Sequence, residues 1–198
     1  GNYIIKDDGT RAVSETTKNL GKVAPDWTMG ISNTLRYRNL SLSFLIDVRY
    51  GGVMYSGTVS DLRVNGMAEE TIGKNRTDIV DKGVKQDGTE NTTAITPYQF
   101  WSNNYSSKVS EANVFDATFV KLREMVLSYQ MPQRWFKNCF IGSLALGVEG
   151  RNLWLMKSNV PHIDPETNIF GPSAVGSGVE YSAIPTTRSW GFNIKLTF

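Results

Sequence analysis

The chain has 198 residues with 40% hydrophobic, 11% aromatic and 20% charged side chains, and its formal net charge is +2. This composition is sufficient for one sizeable core and excludes an intrinsically disordered chain. A near-neutral charge without a run of Lys or Arg gives no support for a nucleic-acid partner. The single cysteine, Cys139, excludes a disulfide within the chain. No apolar run reaches the roughly eighteen residues of a membrane-spanning helix, whereas the alternating strands of a β-barrel remain possible.

Residues 2–25 are predicted to form a loop, and no signal peptide is visible at the start of the chain. Gly1 in place of a methionine indicates either a remnant of an expression tag or a cut from a longer chain. The cluster Asp7-Asp8-Gly9 resembles half of a calcium loop, but the spaced acidic residues and closing Glu of that motif are out of register. A plain turn is the better interpretation.

Two strands are predicted at residues 27–37 and 40–50, where large apolar residues alternate with small or polar ones at period two. The link Arg38-Asn39 is short enough for a tight turn, so the two strands form an antiparallel hairpin. Aromatic residues lie at the strand ends on the apolar side, namely Trp27, Tyr37 and Tyr50. That position suits either an aromatic girdle at a lipid interface or the rim of a soluble core.

The next segment, residues 51–116, is far longer than an ordinary connection in a compact domain. Its stretch 59–73 has weak helical spacing, and aromatic residues concentrate further along at Tyr98, Phe100, Trp101 and Tyr105. Such rings either stack on a sugar or peptide ligand or hold the loop against its neighbours. Tyr98, Trp101 and Tyr105 are therefore candidate ligand-binding residues.

A third strand is predicted at residues 118–130, with a change of parity in its middle. Val120 and Leu122 share one parity, whereas Met125, Leu127 and Tyr129 share the other. A β-bulge at Arg123-Glu124 would keep both sets on one side of the sheet. The strand ends at Met131-Pro132, because proline cannot donate to a ladder.

A fourth strand is predicted at residues 140–153, and a second long loop follows at residues 156–184. One side of this strand is apolar, whereas the other combines small residues with Glu149 and Arg151. An unpaired charge is costly in a dry core, so these two side chains indicate a wet interior. Glu149 and Arg151 are candidate ligand-binding residues, and with Asp47 and Arg49 they are expected to line a passage or its mouth.

The last strand, residues 187–198, alternates without a slip. Its apolar side carries Trp190, Phe192, Ile194, Leu196 and Phe198, and its other side is small and polar with one lysine. Either a soluble core or lipid can cover such an apolar side. An aromatic residue at the end is atypical of the frayed, polar termini of soluble domains and indicates a strand that closes a larger structure.

The pattern as a whole is five long strands with alternately short and long connections. It predicts an all-β, antiparallel, up-and-down sheet belonging to a large transmembrane β-barrel, which has short turns on one side and long loops on the other. The alternative is a soluble β-sandwich or small barrel that binds carbohydrate through residues 98–105. Isolated from its barrel, such a piece exposes two strand edges and is expected to pair, dimerise or curl closed.

Several linked motifs resemble the end region of SusC/RagA-type TonB-linked outer-membrane proteins. They are FDATFVKLRE at 115–124 with LSY at 127–129, GRNLW at 150–154, IDPE at 163–166, PTTRSWGF at 185–192, and PDW at 25–27 upstream. The resemblance spans nearly the whole chain, and its motifs occur in the family's order.

The resemblance implies the C-terminal barrel part of a TonB-dependent importer of glycans or peptides in the outer membrane of Bacteroidetes-type Gram-negative bacteria. Its expected partners are outer-membrane lipid, a SusD-like surface lipoprotein, TonB through a missing N-terminal region, and the barrel-assembly machinery. Barrels of this kind have about 22 strands and a plug domain, which is absent from this chain. The apolar side of residues 190–198 is the expected assembly signal.

Enzymatic chemistry has little support in the sequence. His162, the single histidine, lies in a proline-rich loop near Asp164, where a solvated residue is a simpler interpretation than a triad or metal site. Cys139 is better interpreted as a packed thiol than as a nucleophile. No phosphate loop or paired-cysteine motif occurs, so neither a metal nor a cofactor is expected.

Overall fold

A computed structural model describes residues 2–74, 76–137, 140–169 and 177–198. The chain divides into two compact units, which we call the sheet unit and the loop unit. The sheet unit comprises Pro25–Gly51, Ala117–Asn159 and Pro185–Phe198, and the loop unit comprises Gly1–Ala24, Gly52–Asp116 and Val160–Ile184. Within the described ranges, no helix is both long and apolar enough to cross a membrane.

The sheet unit is an open antiparallel sheet with five strands among the described residues. These are β1 (Trp27–Tyr37), β2 (Leu40–Tyr50), β3 (Phe119–Gln130), β4 (Ser143–Ser158) and β5 (Ser189–Thr197). Their order in the sheet is their order in the chain, which makes an up-and-down meander. The predicted fold class is therefore confirmed. The strands of the sheet unit lie in one open sheet, so this unit is not the β-sandwich of the alternative interpretation.

The strands β1 and β2 have the bounds that their alternation indicated, whereas β4 continues to Ser158 instead of ending at residue 153. The sequence pattern of β4 changes phase after Arg151, which hid its second half. In the ladder with β3, Arg151 pairs with Glu124 and the next pair is Trp154 with Leu122.

The β-bulge predicted in the third strand is confirmed. Ile46 of β2 pairs with Leu122 and the adjacent Leu45 pairs with Glu124, so Arg123 is the extra residue of the bulge. The bulge returns the apolar residues on both sides of it to the same side of the sheet. Asn152, opposite it on β4, has a positive φ of 51°.

The two ends of the sheet differ in how the strands connect. At one end, which we call the turn end, Arg38-Asn39 joins β1 to β2 and residues 131–142 join β3 to β4. At the other end, which we call the loop end, the chain enters β1, β3 and β5 and leaves β2 and β4 through segments of the loop unit. Short connections therefore lie at one end and long ones at the other.

The loop unit is a folded body with two helices among its described residues, α1 (Gly57–Val64) and α2 (Pro97–Tyr105). Val53–Ser56 pairs antiparallel with Val114–Asp116 and parallel with Val179–Glu180. Two further two-stranded sheets join Ile4–Ile5 to Val84–Lys85 and Ile79–Val80 to Ala94–Ile95. The helical spacing at 59–73 predicted a longer helix, but α1 ends where Asn65 is followed by Gly66, whose φ is 70°.

Helix α2 forms in the aromatic stretch that the sequence pattern predicts to be a loop. Its N-terminus is a capping box in which the Thr96 side chain accepts from the Gln99 amide and the Gln99 side chain accepts from the Thr96 amide. Pro97 occupies the first helical position, where its missing N–H leaves no donor unsatisfied. The segment Thr96-Pro97-Tyr98-Gln99 is thus a helix-start signature that the sequence contained.

Candidate functional site

One side of the sheet is predominantly apolar in every strand, with Asn33 of β1 as a polar exception, and we call it the apolar side. Cross-strand pairs continue it across the ladder, as in the row Leu35, Leu42, Leu127, Val148 and Phe192. Many of these side chains are exposed, from 37% for Leu146 to 85% for Phe192. Other exposed members are Trp27, Met29, Ile31, Leu35, Leu40, Tyr50, Leu127, Trp154, Trp190, Ile194 and Leu196. An uncovered apolar surface of this extent marks a place where lipid or protein binds.

Aromatic side chains gather at both ends of the apolar side. At the loop end, the rings of Trp27 and Tyr50 stack with centroids 5.2 Å apart. At the turn end, the rings of Phe140 and Phe198 stack at 5.8 Å and an interplanar angle of 7°. Tyr37 also lies there and is 70% exposed. The rings of Trp27, Tyr50 and Tyr37 have an apolar body and a polar edge, which suits the boundary between hydrocarbon and water.

The opposite side of the sheet, the polar side, carries a network of charged groups near the loop end. The guanidinium of Arg123 forms an ion pair with Asp47 and donates from Nη1 to Oδ1 of Asn152 at 3.1 Å. Asn152 in turn donates from Nδ2 to the carbonyl oxygen of Thr187 at 3.1 Å. This chain of contacts joins β2, β3 and β4 to the segment just before β5.

The candidate residues Glu149 and Arg151 lie together on the polar side. They line a cavity of about 180 Å³ with Ser189, Trp190 and Gly191. Gly191 makes room for the acidic side chain, because a Cβ at that position would lie 3.1 Å from Cγ of Glu149. The cavity therefore presents one carboxylate and one guanidinium beside the backbone of β5, which suits a ligand with both hydrogen-bond donors and acceptors.

Lys121 is a charged residue of the polar side that the sequence pattern did not single out. It is 3% exposed, and its Nζ donates to Oγ1 of Thr186 at 2.8 Å. It is also the cross-strand partner of Asp47. Lys121 and Asp47 are far apart in the chain, so only the register of β2 against β3 identifies them as an opposite-charge pair.

The aromatic candidates Tyr98, Trp101 and Tyr105 all lie on α2 in the loop unit, but they face different surroundings. Trp101 is 4% exposed, and its ring centroid lies 4.9 Å from that of Tyr105 and 5.1 Å from that of Phe100. Tyr98 is 68% exposed. Trp101 and Tyr105 thus pack inside the unit, and Tyr98 is the candidate that a ligand can reach.

Arg63 of α1 is a buried cation that sequence reasoning missed. It is 8% exposed, forms an ion pair with Glu70, and donates from Nη1 to Ala112 and Asn113. The rings of Tyr105 and Phe115 lie 5.0 and 5.2 Å from its guanidinium carbon. A buried charge needs such complete pairing, and here the pairing fastens α1 to the end of α2 and the segment after it.

A second buried ion pair holds the first segment of the loop unit. Arg11 donates from Nε and Nη2 to the two carboxylate oxygens of Asp81 at 2.6 and 2.9 Å, and its guanidinium lies 3.7 Å from the centroid of the Tyr3 ring. Burial alone would lower the pKa of Arg11, but the hydrogen bonds and charge of Asp81 outweigh it and raise that pKa. Arg11 therefore remains a cation inside the unit.

Glu180 is a buried carboxylate, 1% exposed, that lies beside the N-terminus of α1. It accepts from the hydroxyls of Ser56 and Thr58, both at 2.6 Å, and from the Ala183 amide at 3.2 Å. A helix N-terminus favours such an anion. The contacts fasten residues 179–183 to α1, although 122 to 124 positions separate the side chains in the chain.

Two turns of the loop unit share the sequence Asp-Gly-Thr, and the first contains the cluster considered above as a calcium loop. In each turn one aspartate oxygen accepts from the amide and the hydroxyl of the threonine, Asp8 from Thr10 and Asp87 from Thr89. The hydroxyl contact is the main reason that the pKa values of both carboxyls lie below their usual range. The plain-turn interpretation describes the first cluster. Among the residues that the structure describes, no three His, Cys, Asp or Glu side chains gather into a metal site.

His162 lies in a tight turn with a φ of 66°, and its Nε2 is 3.7 Å from Oε2 of Glu70. That carboxylate is shared with Arg63, so His162 lies beside a structural ion pair. Cys139 falls outside the residues that the structure describes.

Two curated proteins are similar to this chain over most or all of its length. TonB-dependent receptor P3 of Formosa agariphila is 25% identical over 204 residues, covering 100% of this chain and 19% of the receptor. TonB-dependent receptor P26 of the same organism is 26% identical over 182 residues, covering 90% of this chain and 18% of the receptor. The chain therefore spans about a fifth of the length of these two relatives. No protein-family model matches the chain.

Solved structures show the same fold. The RagAB peptide transporter superposes with a TM-score of 0.64 at 19% identity, covering 99% of this chain and 22% of that one. The RagAB peptide importer in its open-open state gives 0.62 at 20% identity, covering 99% of this chain and 20% of that one.

The open antiparallel meander, with one apolar and one polar side, therefore has the fold of a fragment of the RagAB structure. In sequence the chain is similar to part of two TonB-dependent receptors, and it shares the fold of part of the RagAB structures, in line with the SusC/RagA-type motifs. The relatives carry the names of receptors and transporters rather than of enzymes.

Proposed function

We propose that this chain forms part of the barrel wall of a TonB-dependent importer in the outer membrane of a Bacteroidetes-type Gram-negative bacterium, with its apolar side against lipid. The continuous, exposed apolar side is the observation that carries the proposal. Monomeric soluble proteins rarely expose apolar patches larger than a few hundred Å². The strands, from 9 residues in β5 to 16 in β4, also reach the roughly nine to eleven residues of a tilted membrane strand.

The polar side is then the wall of the passage, and Glu149 and Arg151 are its proposed ligand contacts. Their cavity and the network around Arg123 support this role. In the loop unit, Tyr98 is the proposed contact with ligand outside the cell, and Trp101 and Tyr105 hold the helix that carries it. Ring stacking of this kind serves sugars and peptides alike.

The transported substrate is proposed to be a glycan or a peptide, captured with a SusD-like surface lipoprotein. The similarity to TonB-dependent receptors and to the RagAB peptide importer supports this assignment. TonB and a plug domain would act through regions of the full-length protein outside this chain. No catalytic step is assigned to the chain.

Assembly is the remaining part of the proposal. The apolar side of β5 and the residue after it would serve as the signal for the barrel-assembly machinery, through Trp190, Phe192, Ile194, Leu196 and Phe198. All five side chains are exposed and are therefore accessible to the assembly machinery.

A matched pair of variants in the full-length protein tests which side of the sheet meets lipid. Ile31 and Ser32 are neighbours on β1 and face opposite sides. Ile31→Lys should cost about 2–4 kcal/mol and reduce the protein in the outer-membrane fraction, because a lysine near the bilayer midplane is poorly solvated. Ser32→Lys should leave the level close to that of the wild type.

Fractionation after lysis measures both variants. The wild-type protein should sediment with outer membranes, resist extraction by salt and dissolve in detergent. Recovery of the wild type in the aqueous fraction without detergent contradicts the membrane assignment. Equal effects of the two lysines contradict the assignment of the apolar side to lipid.

A further inference from the structure

The charges of the sheet unit are distributed unevenly between its two ends. From the row of Leu35, Leu42, Leu127, Val148 and Phe192 to the turn end, the sequence contains five cations and no acidic side chain. The cations are Arg36, Arg38, Arg134, Lys137 and Lys195, and all five are exposed. The rest of the unit mixes six cations with four acidic residues, Asp26, Asp47, Glu124 and Glu149.

Three of these cations lie in the turns themselves. Arg38 is in the link between β1 and β2, and its guanidinium carbon lies 5.3 Å from the centroid of the Tyr37 ring. Arg134 and Lys137 lie in the connection between β3 and β4, within and just after the 3-10 turn Gln133–Trp135. Trp135, between them, is 62% exposed. The turn end thus presents cations next to exposed rings.

This combination matches the chemistry of an anionic membrane surface. Aromatic rings settle at the boundary of the hydrocarbon, and cations just beyond them lie at the level of the headgroups. Each Lys or Arg near an anionic leaflet strengthens binding by about fivefold. The turn end is continuous with the apolar side, so the same barrel wall that meets the lipid chains meets the headgroups there.

We infer that the turn end is a binding surface for anionic phospholipid headgroups, with Arg38, Arg134 and Lys137 as its contacts. The inference rests on the proposed membrane function, because only a barrel inserted in a bilayer brings these residues to headgroup level. Charge complementarity selects anionic over zwitterionic lipid. The absence of acidic side chains in this part of the sequence leaves the attraction uncompensated.

Lipid selectivity of the full-length protein tests the inference. The protein is reconstituted in phosphatidylcholine vesicles with about 30 mol % phosphatidylglycerol, and spin-labelled forms of the two lipids report which one occupies its surface. The wild type should prefer phosphatidylglycerol by about fivefold or more, and about 0.5 M salt should suppress the preference. A triple variant, Arg38→Gln with Arg134→Gln and Lys137→Gln, should reduce it to nearly one.

A second triple variant provides the matched control, Lys18→Gln with Lys74→Gln and Lys82→Gln. These three lysines are exposed in the loop unit, so the change in net charge is the same. The control should keep the wild-type preference, and a loss there contradicts the location at the turn end. A wild type without preference, as expected if the surface binds a protein instead, overturns the inference. A preference for phosphatidylglycerol that survives in the triple variant of Arg38, Arg134 and Lys137, or in about 0.5 M salt, also overturns the inference.

Flotation of the vesicles separates failure of this inference from failure of the proposed function. Protein that inserts in the bilayer but shows no lipid preference contradicts only the headgroup surface. Protein that does not float with the vesicles contradicts the membrane function, and the headgroup surface with it.

Discussion

Tyr181 shows how single side chains hold the segments of the loop unit together. Its ring lies against Gly57 at the start of α1, where an added Cβ would come within 2.2 Å of Cδ2 of the ring. Its hydroxyl donates to Oδ2 of Asp61 at 2.9 Å. That hydrogen bond, and next the negative charge of Asp61, raise the pKa of Tyr181 above its usual value of 10.0. The contact therefore depends on the neutral phenol.

The raised pKa gives the Tyr181 contact a defined pH dependence. A group whose pKa is higher in the folded than in the unfolded state contributes stability below its unfolded pKa, and that contribution is lost as pH rises through the folded pKa. We expect the difference between the ultraviolet titrations of the wild type and Tyr181→Phe to show one tyrosine ionising above pH 10. Asp61→Asn should move that midpoint back towards 10, and a midpoint unaffected by Asp61→Asn contradicts the contact.

At the scale of elements, the register of β5 needs a determinant beyond its alternation. A shift of two residues would leave every side chain of β5 on its own side, because the pattern has period two. Trp190 pairs with Gly150, and a Cβ on Gly150 would lie 3.0 Å from Cε3 and Cζ3 of the indole and 2.6 Å from Cδ2 of Leu153. After a shift of two, Trp190 would face Val148 or Asn152 instead. Gly150 thus gives the tryptophan one position that fits, an arrangement known as aromatic rescue of glycine.

Replacement of Gly150 should therefore disturb the register of β5. In the full-length protein with Cys139→Ser, cysteines at the paired positions Ala145 and Lys195 should form a disulfide. Adding Gly150→Val should reduce this crosslink, because the valine displaces the indole. In companion variants that carry the second cysteine at Asn193 or at Thr197 instead of Lys195, Gly150→Val should increase the crosslink to position 145.

Gly30→Val provides the control for the register experiment, since a Cβ on Gly30 meets only Cδ1 of Leu45 at an ordinary 3.7 Å. It should leave the crosslink between positions 145 and 195 intact. An unchanged pattern in Gly150→Val, or the same change in both valine variants, would show that Gly150 does not set the register.

The strands and the loop unit differ in how far the sequence predicts them. Period-two alternation is a local signal, so β1 and β2 have the bounds expected from it, and the phase change at Arg123 located the bulge. The loop unit depends on distant pairs such as Arg11 with Asp81 and Ser56 with Glu180, 70 and 124 positions apart. No periodicity encodes such pairs, although the capping box at Thr96 was a local signal for α2.

The candidate site divides in the same way. Glu149 and Arg151 are two positions apart on one strand, so alternation alone puts them on one side of the sheet, and the structure adds the cavity over β5. For the aromatic cluster, the composition indicated which residues are candidates but not which of them are buried. Tyr98 and Trp101 are three positions apart and are neighbours on the helix surface, so the packing around α2, rather than helical spacing, decides that Trp101 is buried and Tyr98 exposed.

At the scale of the whole molecule, the open sheet leaves β1 and β5 without a second neighbouring strand among the described residues. A free edge with an apolar side is a hazard for aggregation unless another strand pairs with it promptly. In the proposed barrel, strands of the full-length protein outside this stretch would pair with both edges. If the chain is part of a membrane barrel, as proposed, β5 has a free edge and an exposed apolar side until it is inserted.

The proposed assembly signal makes this step testable through Phe198. In the full-length protein, Phe198→Ala should lower the outer-membrane level severalfold, because the ring is 79% exposed and available to the assembly machinery. Thr197→Ala changes the neighbouring residue on the opposite side and should have little effect. Phe140→Ala removes the stacking partner of Phe198 but not the ring itself, so its effect should be smaller than that of Phe198→Ala. Immunoblots of membrane fractions measure the levels. Equal losses in Phe140→Ala and Phe198→Ala would assign Phe198 to packing, and a wild-type level in Phe198→Ala would remove it from the assembly signal.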